Sequence, residues 1–194
     1  QRGVGTSTNG SGAFGASINL LTDAVSENGF AEIANSIGSF NSIKNTLMFS
    51  TGLLNNHFEI SGRLSKITSD GYIDRASSDL NSYFLQGAYQ DKSTLIKGII
   101  FGGHEITYQS WFGVDANTLS SNRTYNPAGE IYDNAGNLQG HYDNQVDDYT
   151  QDHYQFHWNQ KLNTYTSISL GLNYTYGRGF YEEYKDLWFE QNIN

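Results

Sequence analysis

Alternation of apolar and polar side chains along three long segments constrains the fold of this chain more than any other feature. Within His57–Ile67, Tyr149–Leu162 and Tyr165–Gly179, the apolar residues stand at alternate positions, as at Phe58 and Ile60, at Tyr154, Phe156 and Trp158, and from Ile168 to Tyr176. A period of two residues is typical of a strand with two different faces. An average strand has about 5 or 6 residues, whereas a tilted membrane-crossing strand needs roughly 9 to 11. The lengths of these segments therefore favour a transmembrane β-barrel.

The alternation divides the strand residues into two sets, because a barrel wall turns apolar side chains toward lipid and polar ones toward a wet lumen. The set expected to face lipid is Phe58, Ile60, Leu64, Tyr154, Phe156, Trp158, Ile168, Leu170, Leu172 and Tyr174. The set expected to face the lumen is His57, Glu59, Arg63, His153, Gln155 and His157.

Composition excludes several classes of protein. The mean hydropathy is -0.55 and no run of about 18 apolar residues exists, so any membrane crossing must be made by strands. The chain has no cysteine, which removes disulfides, thiolate metal sites and cysteine nucleophiles. A net charge of -9, with 11 Lys and Arg residues spread along the chain, argues against a nucleic-acid partner.

Seven candidate strands follow a segment, residues 1–29, that is rich in Gly, Ser, Thr and Asn. They are Phe30–Phe40, Lys44–Leu53, His57–Ile67, Ser82–Tyr89, Thr94–Gly103, Tyr149–Leu162 and Tyr165–Gly177. We therefore predict an all-β fold in which about seven long antiparallel strands form a meander. The sheet is expected to be open and curved, with the first and last strands at its edges and residues 1–22 on its concave, polar face.

Short and long joints alternate between these strands. Asn55–Asn56, Gln90–Ser93 and Asn163–Thr164 have the composition of tight turns. The longest joint, at about 104–148, is acidic and aromatic and is expected to be an extracellular loop. It is predicted to contain a small hairpin at Asn134–Asn137 and a short helical turn within Tyr108–Ala116.

The sequence gives only weak signals for a cofactor, metal or catalytic site. Gly10-x-Gly12-x-x-Gly15 matches a dinucleotide-binding pattern, but no strand precedes it and no acidic residue follows about 20 positions later. His153 and His157 would lie about 13 Å apart on a strand, too far to share a metal ion. No spacing singles out a catalytic set. We therefore expect no enzyme activity, no catalytic residue, no metal site and no cofactor.

The chain begins with Gln1-Arg2-Gly3-Val4-Gly5, followed by a Gly- and Ala-rich stretch from Asn9 to Leu20. These two segments resemble the end of the plug domain of TonB-dependent outer-membrane receptors. The plug-motif residues are Arg2, Gly3, Gly10, Gly12, Gly15 and Asn19. Later stretches are similar to Bacteroidetes-type members of that family, namely Asp70–Arg75, Thr107–Trp111, Arg123–Asn126, Tyr142–Gln145 and Tyr176–Glu182.

The resemblance implies a parent barrel of roughly 22 strands with a plugged lumen in the bacterial outer membrane. Residues 1–29 would be the tail of the plug and a linker, and residues 30–194 the first part of the barrel. The TonB box, most of the plug and the rest of the barrel are expected to be missing from this sequence. The implied partners are outer-membrane lipid, TonB acting through the missing amino-terminal part, and a scarce imported ligand. A ferric siderophore is the ligand most often implied, with haem, cobalamin or oligosaccharide as alternatives.

The long loop supplies the candidate ligand contacts, which are Tyr108, Trp111, Arg123, Tyr125, Tyr132 and Tyr142. Anchoring at a membrane surface is an equally good interpretation of its aromatic residues. Arg123 is the only cation of this acidic loop, which tells against an anionic ligand held by charge alone. A different class of function is a soluble, β-rich carbohydrate-binding module, which must cover its apolar strand faces with a second sheet.

Overall fold

The computed structural model describes residues 25–185, which form almost entirely β structure. The elements in chain order are β1 (Asn28–Gly38), β2 (Ser42–Gly52), β3 (Phe58–Ser69), β4 (Ser78–Gln90), β5 (Thr94–Tyr108), α1 (Ala116–Ser121), β6 (Glu130–Tyr132), β7 (Leu138–His141), β8 (Val146–Lys161) and β9 (Ser167–Tyr181). The predicted all-β class is confirmed. The plug-motif residues Arg2, Gly3, Gly10, Gly12, Gly15 and Asn19, and the placement predicted for residues 1–22, lie outside the described residues.

Seven strands form one antiparallel meander in the order β1-β2-β3-β4-β5-β8-β9. Every strand pairs with its neighbour over most of its length, and β1 and β9 are the two edges of the sheet, as predicted. The remaining two strands, β6 and β7, form a separate ribbon inside the long loop, which confirms the hairpin predicted around Asn134–Asn137.

Turn chemistry explains why two of the joints are short. Asn55 and Asn56 adopt φ values of 50° and 62°, a left-handed conformation that asparagine tolerates better than most residues. In the turn between β4 and β5, the Asp91 carboxylate accepts hydrogen bonds from the backbone N–H groups of Ser93 and Thr94 at 2.7 and 2.8 Å. These two turns and the turn between β8 and β9 lie at one end of the sheet. The longer loops lie at the other end.

Several strands extend beyond their predicted bounds toward the long loops. β4 begins at Ser78 instead of Ser82, β5 ends at Tyr108 instead of Gly103, and β8 begins at Val146 instead of Tyr149. The backbone ladder between β4 and β5 continues to the pair Ser78 and Thr107, although the apolar alternation has already ended. The helix also lies later than predicted, because Asp115 caps its amino terminus.

The described residues provide no second layer over the strand faces. Buried apolar residues among them are few: Ala88, Ile99 and Ala128. Between residues 25 and 185 no helix is long and apolar enough to span a membrane. The side chains of the sheet therefore differ mainly in which of its two faces they occupy.

Candidate functional site

The strand register assigns the side chains to two faces, because residues directly opposite each other in an antiparallel pair lie on the same face. Ile60 of β3 connects through Gly87 and Gly98 to Phe156 of β8 and on to Leu172 of β9. We call this side the apolar face. It carries Phe58, Ile60, Leu64, Leu85, Ile100, Tyr154, Phe156, Trp158, Ile168, Leu170, Leu172 and Tyr174.

The opposite side, which we call the polar face, is defined in the same way. Glu59 of β3 connects through Ala88 and Lys97 to His157 of β8. It carries Glu59, Arg63, Gln86, His153, Gln155 and His157. The two sets that the sequence separates by alternation thus lie on opposite faces, with one exception at His57.

His57 does not share the face of Glu59, contrary to the prediction. It lies one residue before β3, and its ring stacks on Tyr89 at 5.7 Å while its Nδ1 lies 2.9 Å from the carbonyl oxygen of Gln90. Tyr89 is on the apolar face, where its ring contacts Phe58 at 5.2 Å. The alternation of side chains along a strand does not set the direction of the His57 ring, because His57 belongs to the turn before β3.

The apolar face is exposed along its whole width. Phe58, Leu64, Leu172 and Tyr174 keep 53%, 55%, 57% and 62% of their surface accessible. Nine of the ten residues predicted to face lipid are exposed, and the tenth, Trp158, is half-buried. A soluble monomer rarely exposes a contiguous apolar patch larger than a few hundred Å². This face therefore requires an apolar partner.

The polar face contains a buried carboxylate. Glu59 is 2% exposed and accepts hydrogen bonds from the Ser26 backbone N–H at 3.0 Å, the Ser50 hydroxyl at 2.7 Å and the Gln86 amide at 3.2 Å. Gln86 is 1% exposed, and its amide oxygen has no partner. These three donors are neutral groups. One of them, the Ser26 backbone N–H, belongs to the segment that leads into β1.

Two ion pairs and one histidine–carboxylate contact occupy the apolar face at the end that carries the long loops. Lys66 pairs with Asp79 at 3.1 Å and Arg178 with Asp152 at 2.8 Å, and His104 Nε2 lies 2.8 Å from Asp148 Oδ1. We call these six residues the charged strip. The strip lines part of a surface groove of about 590 Å³, whose other wall includes Leu47 and Leu64. At this end the apolar face carries charged side chains next to exposed apolar ones such as Ile106 and Phe180.

The long loop folds into an ordered cap together with the loop between β3 and β4; we call residues 70–77 and 109–145 the loop cap. Arg75 links its two parts, donating hydrogen bonds to the carbonyl oxygens of Asn126 and Ala128 and lying over the Tyr108 ring at 5.8 Å. The Asn126 side chain donates in turn to the carbonyl oxygens of Asp74, at 2.9 Å, and Gln109, at 3.0 Å. Arg75 and Asn126 are not conspicuous in the sequence, because the residues they join lie far apart along the chain.

Four of the six predicted ligand contacts are part of the framework of this cap. Tyr125 and Tyr132 both donate to Glu130, at 2.8 and 2.6 Å. Tyr108 donates to the carbonyl oxygens of Ala128 and Tyr142, and the Tyr142 hydroxyl bonds to the Glu182 carboxylate. Burial raises the pKa of Tyr125 to about 12, and the hydrogen bond to Glu130 adds to the effect. All four hydroxyl groups therefore already have a hydrogen-bond partner within the protein.

The other two predicted contacts are open to solvent. Trp111 is 59% exposed and touches Tyr181 edge to face at 6.3 Å, and Arg123 is exposed after α1. The structure therefore does not gather the six residues into one pocket. Among residues 25–185 no group of three or more His, Asp and Glu side chains is placed to hold a metal ion.

Comparisons of this chain with models of protein families, with curated proteins and with solved structures found no match. The apolar face, the charged strip and the loop cap are therefore the features from which function has to be inferred.

Proposed function

We propose that β1–β5, β8 and β9 form part of the wall of a transmembrane barrel in a bacterial outer membrane. The observation that carries this proposal is the exposed apolar face of a sheet whose main strands have 11 to 16 residues. Strands of that length cross a bilayer when tilted, with apolar side chains toward lipid and polar ones toward the lumen.

The size of the apolar face supports lipid over water as its surroundings. Burying one Leu, Ile or Phe side chain fully is worth roughly 1.5 to 3 kcal/mol, so a half-exposed one forgoes about 1 kcal/mol. The nine openly exposed residues of the predicted lipid set together forgo on the order of 10 kcal/mol. This equals the whole stability of a typical domain, which is about 5 to 15 kcal/mol. Lipid removes that cost, whereas water does not.

Aromatic residues lie toward both limits of the apolar face. Tyr83, Tyr154 and Tyr176 lie toward the charged strip, and Tyr89 and Trp158 lie toward the short turns. Tyr and Trp are enriched where a membrane protein meets the two lipid–water interfaces, because their rings have both an apolar body and a polar tip. Their distribution supports a bilayer between the two groups.

The parent protein, in this proposal, is a TonB-dependent receptor that binds and imports a scarce ligand. The loop cap is placed outside the cell and the short turns face the periplasm, since outer-membrane barrels have long outer loops and short inner turns. The resemblance implies a ferric siderophore as the ligand and TonB as the source of energy. Of the two arginines of the loop cap, Arg75 is already engaged by carbonyl oxygens and Arg123 is exposed, so the cap offers a single open guanidinium to an anionic ligand.

A soluble carbohydrate-binding module is the competing interpretation. It needs a second sheet packed on the apolar face, about 10 Å away. The only other sheet among the described residues is the ribbon of β6 and β7, which belongs to the loop cap. The structure therefore supports the module less well.

The absence of native cysteine allows a direct test of the membrane wall. Single cysteines are introduced at Leu170 and, as a matched control on the opposite face, at Ser169, and are spin-labelled in lipid vesicles. We expect oxygen, which partitions into lipid, to reach the first label, and a water-soluble nickel chelate to reach the second. Equal access on both faces, or a monodisperse folded monomer without detergent, contradicts the membrane wall and favours the soluble module.

The ligand is tested separately by fluorescence titration with a ferric siderophore. Trp111 is exposed in the loop cap, so binding there should quench the part of the emission that Trp111→Phe removes. Quenching that is the same in both proteins, or absent at millimolar siderophore, contradicts ligand binding at this position while leaving the membrane wall untouched.

A further inference from the structure

Two tyrosines and one glutamate of the loop cap bring their side-chain oxygen atoms together. The Tyr125 hydroxyl donates to Glu130 Oε1 at 2.8 Å, and the Tyr132 hydroxyl donates to Glu130 Oε2 at 2.6 Å. The two hydroxyl groups also interact with each other. We call these three residues the phenol–carboxylate cluster. Its phenol and carboxylate oxygens are therefore all neighbours of one another.

The backbone of the loop cap brings these side chains to the same place. Glu130 and Tyr132 are two residues apart on β6, so their side chains lie on the same side of the strand. Tyr125 precedes the turn that leads into β6, in which Asn126 is 2% exposed and Gly129 adopts φ of 75°. This turn returns the Tyr125 hydroxyl to the Glu130 carboxylate.

The cluster differs from the other contacts between a tyrosine and a carboxylate in the described part of the chain. Tyr83, Tyr89 and Tyr142 each donate to a different carboxylate, so that one phenol meets one acidic group. Among these hydrogen bonds only Glu130, which is 9% exposed, accepts from two phenols. A carboxylate and two ionisable phenol groups are thus concentrated at one point of the cap.

The spacing of these oxygens fits a single metal ion. In octahedral coordination with bonds of about 2.0 Å, neighbouring ligand oxygens lie about 2.8 Å apart. The distances of 2.8 and 2.6 Å from the two hydroxyls to the Glu130 carboxylate are close to this value. An ion that replaces the two phenol protons therefore needs no large movement of the three side chains.

The protonation of the phenols selects the kind of ion. Burial raises the pKa of Tyr125 to about 12 and also raises the pKa of Tyr132, and the hydrogen bonds to Glu130 add to both effects. Ligands must lose their protons to bind a metal, so the ion has to acidify these phenols strongly. A ferric ion does so more strongly than a divalent ion, because its charge is higher. Phenolate and carboxylate oxygens are also hard, anionic ligands that suit it.

We propose that Tyr125, Glu130 and Tyr132 bind one ferric ion through two phenolate oxygens and the carboxylate. Both phenol O–H bonds break, Fe–O bonds replace them, and the two protons leave to water. The iron stays ferric, and its charge is balanced by the three anionic side chains.

This inference rests on the part of the proposed function that concerns iron, and not on the membrane wall. It names the class of ligand as ferric iron in a weak chelate that leaves coordination positions open. A siderophore that encloses its iron completely leaves no position for a phenolate.

Ferric nitrilotriacetate, a weak chelate, is the probe, added to the full folded chain in detergent micelles. A ferric phenolate absorbs visible light through charge transfer from oxygen to iron, which a phenol alone does not. We expect a visible band that saturates at about one iron per chain, with release of about two protons per iron. Gallium(III), which has the same charge, should compete for the site and remove the band.

Substitutions assign the band to the cluster. Tyr125→Phe and Tyr132→Phe should each lower the intensity of the band by about half and the affinity for iron at least tenfold. Tyr89→Phe is the matched control, because its hydroxyl also donates to a carboxylate, that of Asp91 at 3.0 Å, but at the opposite end of the sheet. It should leave the titration unchanged.

Three results would overturn the iron site. They are no visible band from the unsubstituted chain at millimolar ferric nitrilotriacetate, a band that neither Tyr125→Phe nor Tyr132→Phe reduces, and a band that Tyr89→Phe reduces equally. The first result decides the question even if the substituted chains fail to fold. None of the three affects the membrane wall, which the labels at Leu170 and Ser169 test separately.

Discussion

Substitution of Gly102 by alanine should destabilise the sheet at a defined point. Gly102 lies in β5 between Tyr83 of β4 and Asp152 of β8, and the absence of a side chain lets the Tyr83 hydroxyl reach the Asp152 carboxylate at 2.7 Å. A Cβ atom at this position would meet the Gln151 carbonyl oxygen and would lie 2.9 Å from Asp152 Oδ1 and 3.0 Å from Tyr83 Oη.

The magnitude follows from two separate losses. Inserting a methyl group against backbone in a packed site costs about 1 to 3 kcal/mol. Breaking the hydrogen bond between Tyr83 and a charged acceptor adds about 1.5 kcal/mol or more. Because the two effects share the same atoms and do not add fully, we expect Gly102→Ala to lower the free energy of unfolding by about 2 to 4 kcal/mol.

Gly98 supplies the matched control, because it lies on the same strand and face and a Cβ there would meet nothing within 4 Å. Gly98→Ala should leave stability unchanged or raise it by up to about 1 kcal/mol, through the lower entropy of the unfolded chain. Both variants are compared by urea unfolding in detergent micelles. Equal unfolding midpoints would refute the packing argument, and with it the register between β5 and β8.

Three further predictions concern the apolar face, the loop cap and a turn. Leu170→Arg should cost about 2 to 4 kcal/mol in vesicles and Ser169→Arg at most about 0.5 kcal/mol, and similar losses in urea titrations would contradict the two faces. Arg75→Ala should weaken the loop cap by about 1 to 3 kcal/mol, seen as faster amide exchange confined to the cap, whereas exchange spread over the sheet would refute its local role. Two backbone amides hold the pKa of Asp91 at about 2, below its usual value, so its contribution to stability is present above pH 4 and is lost as the pH falls through about 2. Asp91→Asn should remove that pH dependence in urea unfolding between pH 5 and pH 2, and an unchanged dependence would contradict it.

The central parts of the strands were predictable from the sequence because one face of each is apolar there. Alternation at Phe58, Ile60 and Leu64, and again at Phe156 and Trp158, is a direct consequence of two environments on the two sides of a sheet. The order of the strands followed from the same pattern, since short turns force sequential neighbours to pair.

The strand ends were not predictable, because there the alternation of apolar and polar residues is lost. Toward the long loops, polar residues such as Asp79, Asn81 and His104 take positions on the apolar face, so the hydropathy of the sequence no longer has a period of two there. These segments remain in the sheet because the backbone ladder continues, and backbone hydrogen bonds leave no trace in side-chain hydropathy. His57 failed similarly, since the turn rather than the pleat sets the direction of its ring.

The loop cap was beyond sequence reasoning because its contacts join distant parts of the chain. Arg75 binds carbonyl oxygens 51 and 53 residues later, and it adopts φ of 63°, a conformation that an arginine rarely takes without tertiary support. Nor does composition distinguish a tyrosine whose hydroxyl is held by Glu130 from one free to contact a ligand. Four of the six residues predicted to contact a ligand hold the cap together through their hydroxyl groups, and ligand contact at these positions stays a prediction.

The single long joint of the meander also has a consequence for how the chain folds. All other sheet neighbours are separated by a few residues, whereas β5 and β8 are separated by about 37. Closing a loop of that length costs about 2 kcal/mol more than closing one of about 5 residues. We therefore expect β1–β5 and the β8–β9 hairpin to form as separate folding units that join last. Early folding of the loop cap shortens the effective span between them, so the rate of that final docking step should depend on Arg75, although this residue lies in none of the strands that dock.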